Sequence, residues 1–126
     1  MGKYIDGFVL VVPKGKEAEY EEMAKMGRDS WMKHGALQYF ECKGDDLKQQ
    51  EMGDLKSRAF AEMAGASAEE NVWFSLIVFE SKKHRDEVNK KVMAEMDESY
   101  SDQADFEMPN DMQKMAYGGF AVTVEG

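Results

Sequence analysis

The sequence predicts an α+β domain of order β-α-β-β-α-β, and three observations lead there. Val72 to Phe79 is apolar throughout except for Ser75, rich in β-branched and aromatic side chains, and much too short to span a membrane, so it reads as a central strand. Two segments of helical period, one after the first strand and one after this run, lie between strand-like stretches. The 126 residues, 43% hydrophobic and 33% charged, suit one soluble domain spanning 1–126.

The first strand runs from Tyr4 to Val12 and is stopped by Pro13 and the Lys14-Gly15 turn; Asp6 and Gly7 near its start predict a bulge or an edge. A helix follows from Lys16 to about His34. Tyr20, Met23, Ala24, Gly27 and Trp31 form its apolar face, Glu17, Glu19, Glu21 and Glu22 crowd the turns where its dipole favours anions, and Gly35 stops it. Ala36 to Lys43 is the second strand, with Leu37, Tyr39 and Glu41 on one parity. Residues 44–70 form an irregular insert. A connection of this length is expected to hide an element, and Leu55 to Met63 reads as a short strand or a helical turn. After the central strand, Ser81 caps a second helix whose buried face steps through Val88, Val92 and Met96 to about Asp97, with Met93 beside it. A polar stretch from Glu98 to Asp111 then leads to a last strand, Lys114 to Val124.

With right-handed crossovers, this order gives a four-stranded antiparallel ferredoxin-like sheet with both helices on one face. Phe8, Trp73 and Phe79 exceed what two helices on one side are expected to bury, and nothing in the chain is expected to cover the other face. A second copy of the sheet is the expected cover, giving a symmetric homodimer.

Charge and cysteine content narrow the function classes. A net charge of −9 argues against nucleic acid and anionic membranes as partners, since both reward clustered Lys and Arg. Cys42 is the one cysteine, so no intramolecular disulfide or cysteine-pair metal site exists, and with no signal-like segment a cytoplasmic location is expected.

Several separated motifs resemble the YbaA-like family of small bacterial proteins. They are Tyr4-Ile-Asp-Gly-Phe8, Gly35-Ala-Leu37 with Glu41-Cys42, Phe74-Ser75, Ser81-Lys82 with Arg85-Asp86 and Asn89, and Tyr117-Gly-Gly-Phe120. Lys43 and Leu47-Lys48 stand where that family tends to carry Trp and Pro. The resemblance implies a dimeric α+β barrel and implies no reaction.

The candidate catalytic residues are Asp6, Glu41 and Arg85. Asp6 and Glu41 each interrupt an apolar strand, and a carboxylate inside a barrel can serve as acid or base; the structural alternatives are a capped bulge and a strand end. Arg85, Asp86 and Asn89 share the first turns of the second helix. They read as a network fixing that helix to a neighbouring loop, or as an anion site. Ser75, Trp73 and Tyr117 are the candidate ligand contacts. Gly118 and Gly119 predict a bulge or a close approach of a partner or ligand, and Cys42 reads as a small buried hydrophobe. Met108, Met112 and Met115 read as an adaptable lip of a pocket. The acidic loop from Asp45 to Asp54 lacks calcium-loop spacing, so no metal is expected. His34 and His84 read as surface residues at helix ends, His34 being the weak haem candidate, and no cofactor is expected.

Three readings follow. The first is a homodimer binding a small molecule between sheet and helices. The second, by analogy of fold, is a cofactor-free or haem-dependent oxidoreductase or isomerase. The third is a structural or regulatory dimerisation module.

Overall fold

The computed structural model describes residues 2–49, 51–100 and 108–126. Among the described residues, six strands and three helices follow one another as β1 (Tyr4–Pro13), α1 (Glu17–Lys33), β2 (Gln38–Lys43), β3 (Glu51–Met52), β4 (Leu55–Lys56), α2 (Phe60–Ala64), β5 (Glu70–Phe79), α3 (Lys82–Tyr100) and β6 (Ala116–Ala121), with 3-10 turns at Lys14–Lys16 and Met112–Lys114. The main sheet has the order β2-β5-β1-β6 and is antiparallel throughout. This is the ferredoxin-like arrangement.

Period-two alternation sorts the side chains by face. The face under α1 and α3 carries Leu10 and Val12 of β1, Trp73, Ile77 and Phe79 of β5, and Tyr39 of β2. These pack in two clusters against Tyr20 and Ala24 of α1 and Val88 and Val92 of α3, with Phe8 and Trp31 against them. Phe8, Trp73 and Phe79 therefore all lie on the helix side, contrary to the expectation that two helices were too little to bury them. Val88 and Val92 are 2% and 0% exposed and Met96 is half-buried, so the four-residue step of α3 faces the core. Met93 departs from that stripe and is exposed. Ser81 accepts a hydrogen bond from the His84 backbone N–H at 3.1 Å, as an N-cap should. The helix runs past Asp97 to Tyr100, and the polar stretch expected after it lies partly outside the described residues.

The opposite face holds Ile5, Val9, Phe40, Cys42, Phe74, Leu76 and Phe120, and here the irregular insert matters. It contains a two-residue hairpin, β3 with β4, turning at Gly53 in the left-handed region (φ 66°), and then α2, ended by Gly65 at φ 72°. Both alternatives read for residues 55–63 are therefore present, one after the other. Helix α2 covers one end of this face, with Phe60 meeting Phe74 edge-on at 6.5 Å. The chain thus supplies part of the cover that it was expected to lack. The cover is incomplete: Phe74, though met by Phe60, is still 40% exposed, and Phe40 and Phe120 are 44% and 62% exposed. Cys42, read from sequence as buried, is exposed on this face because it shares the parity of Phe40.

Neither expected bulge forms. The β1–β6 register is continuous from Tyr4 opposite Ala121 to Val9 opposite Ala116, through Asp6, Gly7, Gly118 and Gly119. Gly119 instead makes room for the Tyr4 ring and hydroxyl, which a Cβ there would force to move. Its close neighbour is this chain's own tyrosine. Beyond Val9 the ladder to β6 ends, and the Asp111 N–H takes the Val11 carbonyl at 2.8 Å.

Candidate functional site

A cavity of about 410 Å³ lies between the sheet and the helices. Its walls are mostly apolar: Leu10 and Phe8 from β1, Ile77 from β5, Ala24, Gly27 and Trp31 from α1, and Met96 from α3. Met23, Met108 and Met115 add thioether side chains that can adjust to a guest; Met112, the third methionine of the expected lip, is not part of the lining. Polar groups are few, and they converge where Glu41 and Ser75 stand directly opposite each other on β2 and β5.

Glu41 is held from two sides. Tyr39 Oη donates to Glu41 Oε1 at 2.7 Å, and Tyr20 Oη donates to Glu41 Oε2 at 2.9 Å. Tyr39 reaches it from two residues back on the same strand, and Tyr20 reaches across from α1. Gly27 leaves room for this arrangement, because a Cβ there would lie 2.9 Å from Tyr39 Oη. Burial pushes both phenols well above the ordinary tyrosine range, and the adjacent Glu41 charge pushes them the same way. Both therefore stay protonated and serve as donors. On the far side of Glu41 is a second recess of about 320 Å³, bordered by Glu21, Lys25, Arg28 and Lys43.

Asp6 and Arg85, the other candidate catalytic residues, form a separate cluster. Asp6 is 1% exposed; its Oδ1 accepts from Arg85 Nη1 at 2.7 Å and its Oδ2 from Asn89 Nδ2 at 3.1 Å. Asn89 Oδ1 in turn accepts from Trp31 Nε1 at 2.9 Å, tying α1 directly to α3 and, through Asp6, to β1. Arg85 also donates to Asp86 at 2.7 Å and to Tyr117 Oη at 3.1 Å, and its guanidinium lies 4.9 Å from the centroid of the Tyr4 ring. Burial works against the Arg85 charge, but Asp86 and Asp6 outweigh it and raise the pKa. The network expected around Arg85 and Asn89 thus exists, but it anchors α3 to strand β1 where a loop was expected. Asp6 is its buried partner and caps no bulge.

The candidate ligand contacts separate as well. Ser75 lines the cavity. Tyr117 belongs to the Arg85 cluster and packs on Phe8 with centroids 4.8 Å apart. Trp73 is packed edge-to-face on Tyr20 and donates to Glu17 Oε2 at 2.8 Å, so it borders the charged recess and not the apolar cavity. Sequence reasoning missed Tyr20 and Tyr39 as partners of Glu41, although the shared parity of Tyr39 and Glu41 was a usable signal. His34 contacts Glu95 across the α1–α3 junction, while His84 Nδ1 accepts from the Glu80 N–H at 3.0 Å. Neither histidine is among the residues described lining the cavity. No group of three or more His, Cys, Asp or Glu converges among the described residues.

Comparisons with known proteins give a family and a similar fold and carry no activity. Residues 3–112 match the model of a family described as protein of unknown function (DUF1428). The chain is 34% identical over 123 residues to the uncharacterized protein YbaA of Escherichia coli K12, covering 98% of each, and equally similar to its counterpart in Shigella flexneri. Among solved structures it is similar to a dimeric ferredoxin-like protein from an uncultured marine organism, with a TM-score of 0.56 over the whole of both chains at 7% identity.

Proposed function

The chain belongs to the DUF1428 family, whose description names no activity, and from the geometry we propose that it is a homodimer that binds a small, largely apolar molecule between its sheet and its helices. The observation that carries this reading is the cavity of about 410 Å³, within the size range of small-molecule sites, walled by apolar side chains with Glu41 and Ser75 as its polar end. A concave, mostly apolar space with a few convergent polar groups is the usual form of a small-molecule site. A titration with a library of aromatic fragments, followed through methyl resonances of the methionines, tests it. Saturable shifts at Met23, Met96 and Met115 are expected; a library that leaves all three unmoved sinks the reading.

The dimer rests on the open end of the outer sheet face, where Ile5, Val9, Phe74, Leu76 and Phe120 form a contiguous apolar surface. The structural neighbour is described as dimeric, which supports self-association. Sedimentation equilibrium decides it, since a monodisperse monomer at micromolar concentration is incompatible with the proposal. Phe120→Glu is expected to dissociate the pair by placing a charge in the interface. A cytoplasmic setting goes with this reading, because a lone exposed thiol at Cys42 suits a reducing compartment. No helix among the described residues is long and apolar enough to cross a membrane.

A further inference from the structure

Building on the small-molecule reading, we propose that the cavity selects neutral or cationic aromatic compounds that carry a hydrogen-bond donor, an N–H, O–H or ammonium, and rejects carboxylic acids of the same size. Glu41 is the one charged side chain among the described residues lining the cavity, and it sets this preference. Its two oxygens accept only one phenolic hydrogen bond each from Tyr39 and Tyr20. A carboxylate offers about four acceptor positions, so lone pairs remain for a guest.

The phenols hold the carboxylate in place without cancelling its charge, because both are neutral donors kept protonated by burial. An incoming acid would set a second negative charge beside the half-buried Glu41 against mostly apolar walls, where the repulsion is screened less than in bulk water. An incoming donor meets an ionised acceptor, the stronger kind of hydrogen bond.

The nearby cations do not reverse this sign. Lys25, Arg28 and Lys43 border the recess on the other side of Glu41, and their side chains are 48%, 52% and 58% exposed, so solvent and salt screen them. Ser75, opposite Glu41 in register, supplies a hydroxyl on the same wall and fixes the guest's polar edge near the β2–β5 pair.

Three probes of similar shape test the assignment on the full-length protein by ligand-observed NMR: indole, which has an N–H; benzothiophene, which lacks one; and 2-naphthoate, an acid. Indole is expected to bind roughly tenfold or more tightly than benzothiophene, the ratio a hydrogen bond to a charged group gives. 2-Naphthoate is expected to show no saturable binding in the same range. In E41Q the indole advantage should shrink and the acid should begin to bind; should E41Q fail to fold, the wild-type series decides alone. If all three bind wild-type protein alike, or the acid binds best, the ligand class is wrong while the cavity still binds small molecules. If none binds, the class assignment and the small-molecule reading fall together.

Discussion

Asp6 and Glu41 are both strand carboxylates on the helix-facing side of one sheet, and their surroundings differ in kind. Asp6 meets a guanidinium and a carboxamide, and its charge is balanced inside the core. Glu41 meets two phenols, which satisfy part of its hydrogen bonding and none of its charge, at the wall of a cavity. A carboxylate with a matched cation ties elements together. One held by neutral donors beside empty space keeps a charge to offer to something else. From sequence both looked alike, as single acids in apolar strands.

The contrast can be broken most directly at Arg85. Arg85→Ala leaves Asp6 charged and uncompensated in the core, and a loss of roughly 3–5 kcal/mol is expected in urea denaturation. Glu41→Gln should cost far less, about 1 kcal/mol, because one acceptor oxygen remains for the phenols. Equal losses for the two variants would mean that the two sites are not different in kind.

Asn89→Leu sharpens the same point at an intermediate size. It strips a donor from Asp6 and an acceptor from Trp31 Nε1 together, and about 1–3 kcal/mol should be lost. Tyr39→Phe removes one of the two donors to Glu41 and should cost about 1 kcal/mol, while changing the ligand response more than the stability. A Tyr39→Phe protein as unstable as Asn89→Leu would move Glu41 into the structural class.

The weakest perturbation is pH. The phenols of Tyr20 and Tyr39 are shifted upward in the folded state, so ionisation favours the unfolded chain. Their stabilisation is complete below the unfolded tyrosine value of about 10 and is lost as pH rises above it. Tyrosinate absorbance should show these two residues titrating only as the protein unfolds. Smooth ionisation of every tyrosine near pH 10 in folded protein would contradict their burial.

The elements that the sequence announced were those with long, regular periods. The strands at Tyr4 and Glu70 and the helices from Glu17 and Lys82 each bury a stripe long enough to read, the strand at Gln38 turns Tyr39 and Glu41 toward the helices by simple alternation, and their order dictated the sheet. Helix α2 was legible only as one of two alternatives, because five residues are barely one turn, and its Phe60 finds Phe74 only through tertiary packing. The faces of β5 were undecided because both parities are apolar; the helices claimed Trp73, and α2 with the open sheet face took Phe74. At the site, the four-residue spacing of Arg85 and Asn89 announced a network, but Asp6 lies 79 residues from Arg85 and no local pattern connects them. Likewise, Tyr39 was within reach of a parity argument for Glu41, whereas Tyr20 reaches it only once α1 has docked.

The central place of β1 also dictates when this sheet can form. Its two neighbours, β5 and β6, come from the second half of the chain, so every hydrogen-bonded partner of the first strand is non-local. During synthesis at roughly 5–20 residues per second, Val9 to Val12 wait for seconds as an unpaired apolar segment with both edges bare. Pairing over such separations also closes long loops before any contact rewards it, which makes folding slow for a chain of this length. The strand made first is therefore completed last, and until β6 arrives the newborn protein exposes an edge to which other chains can add.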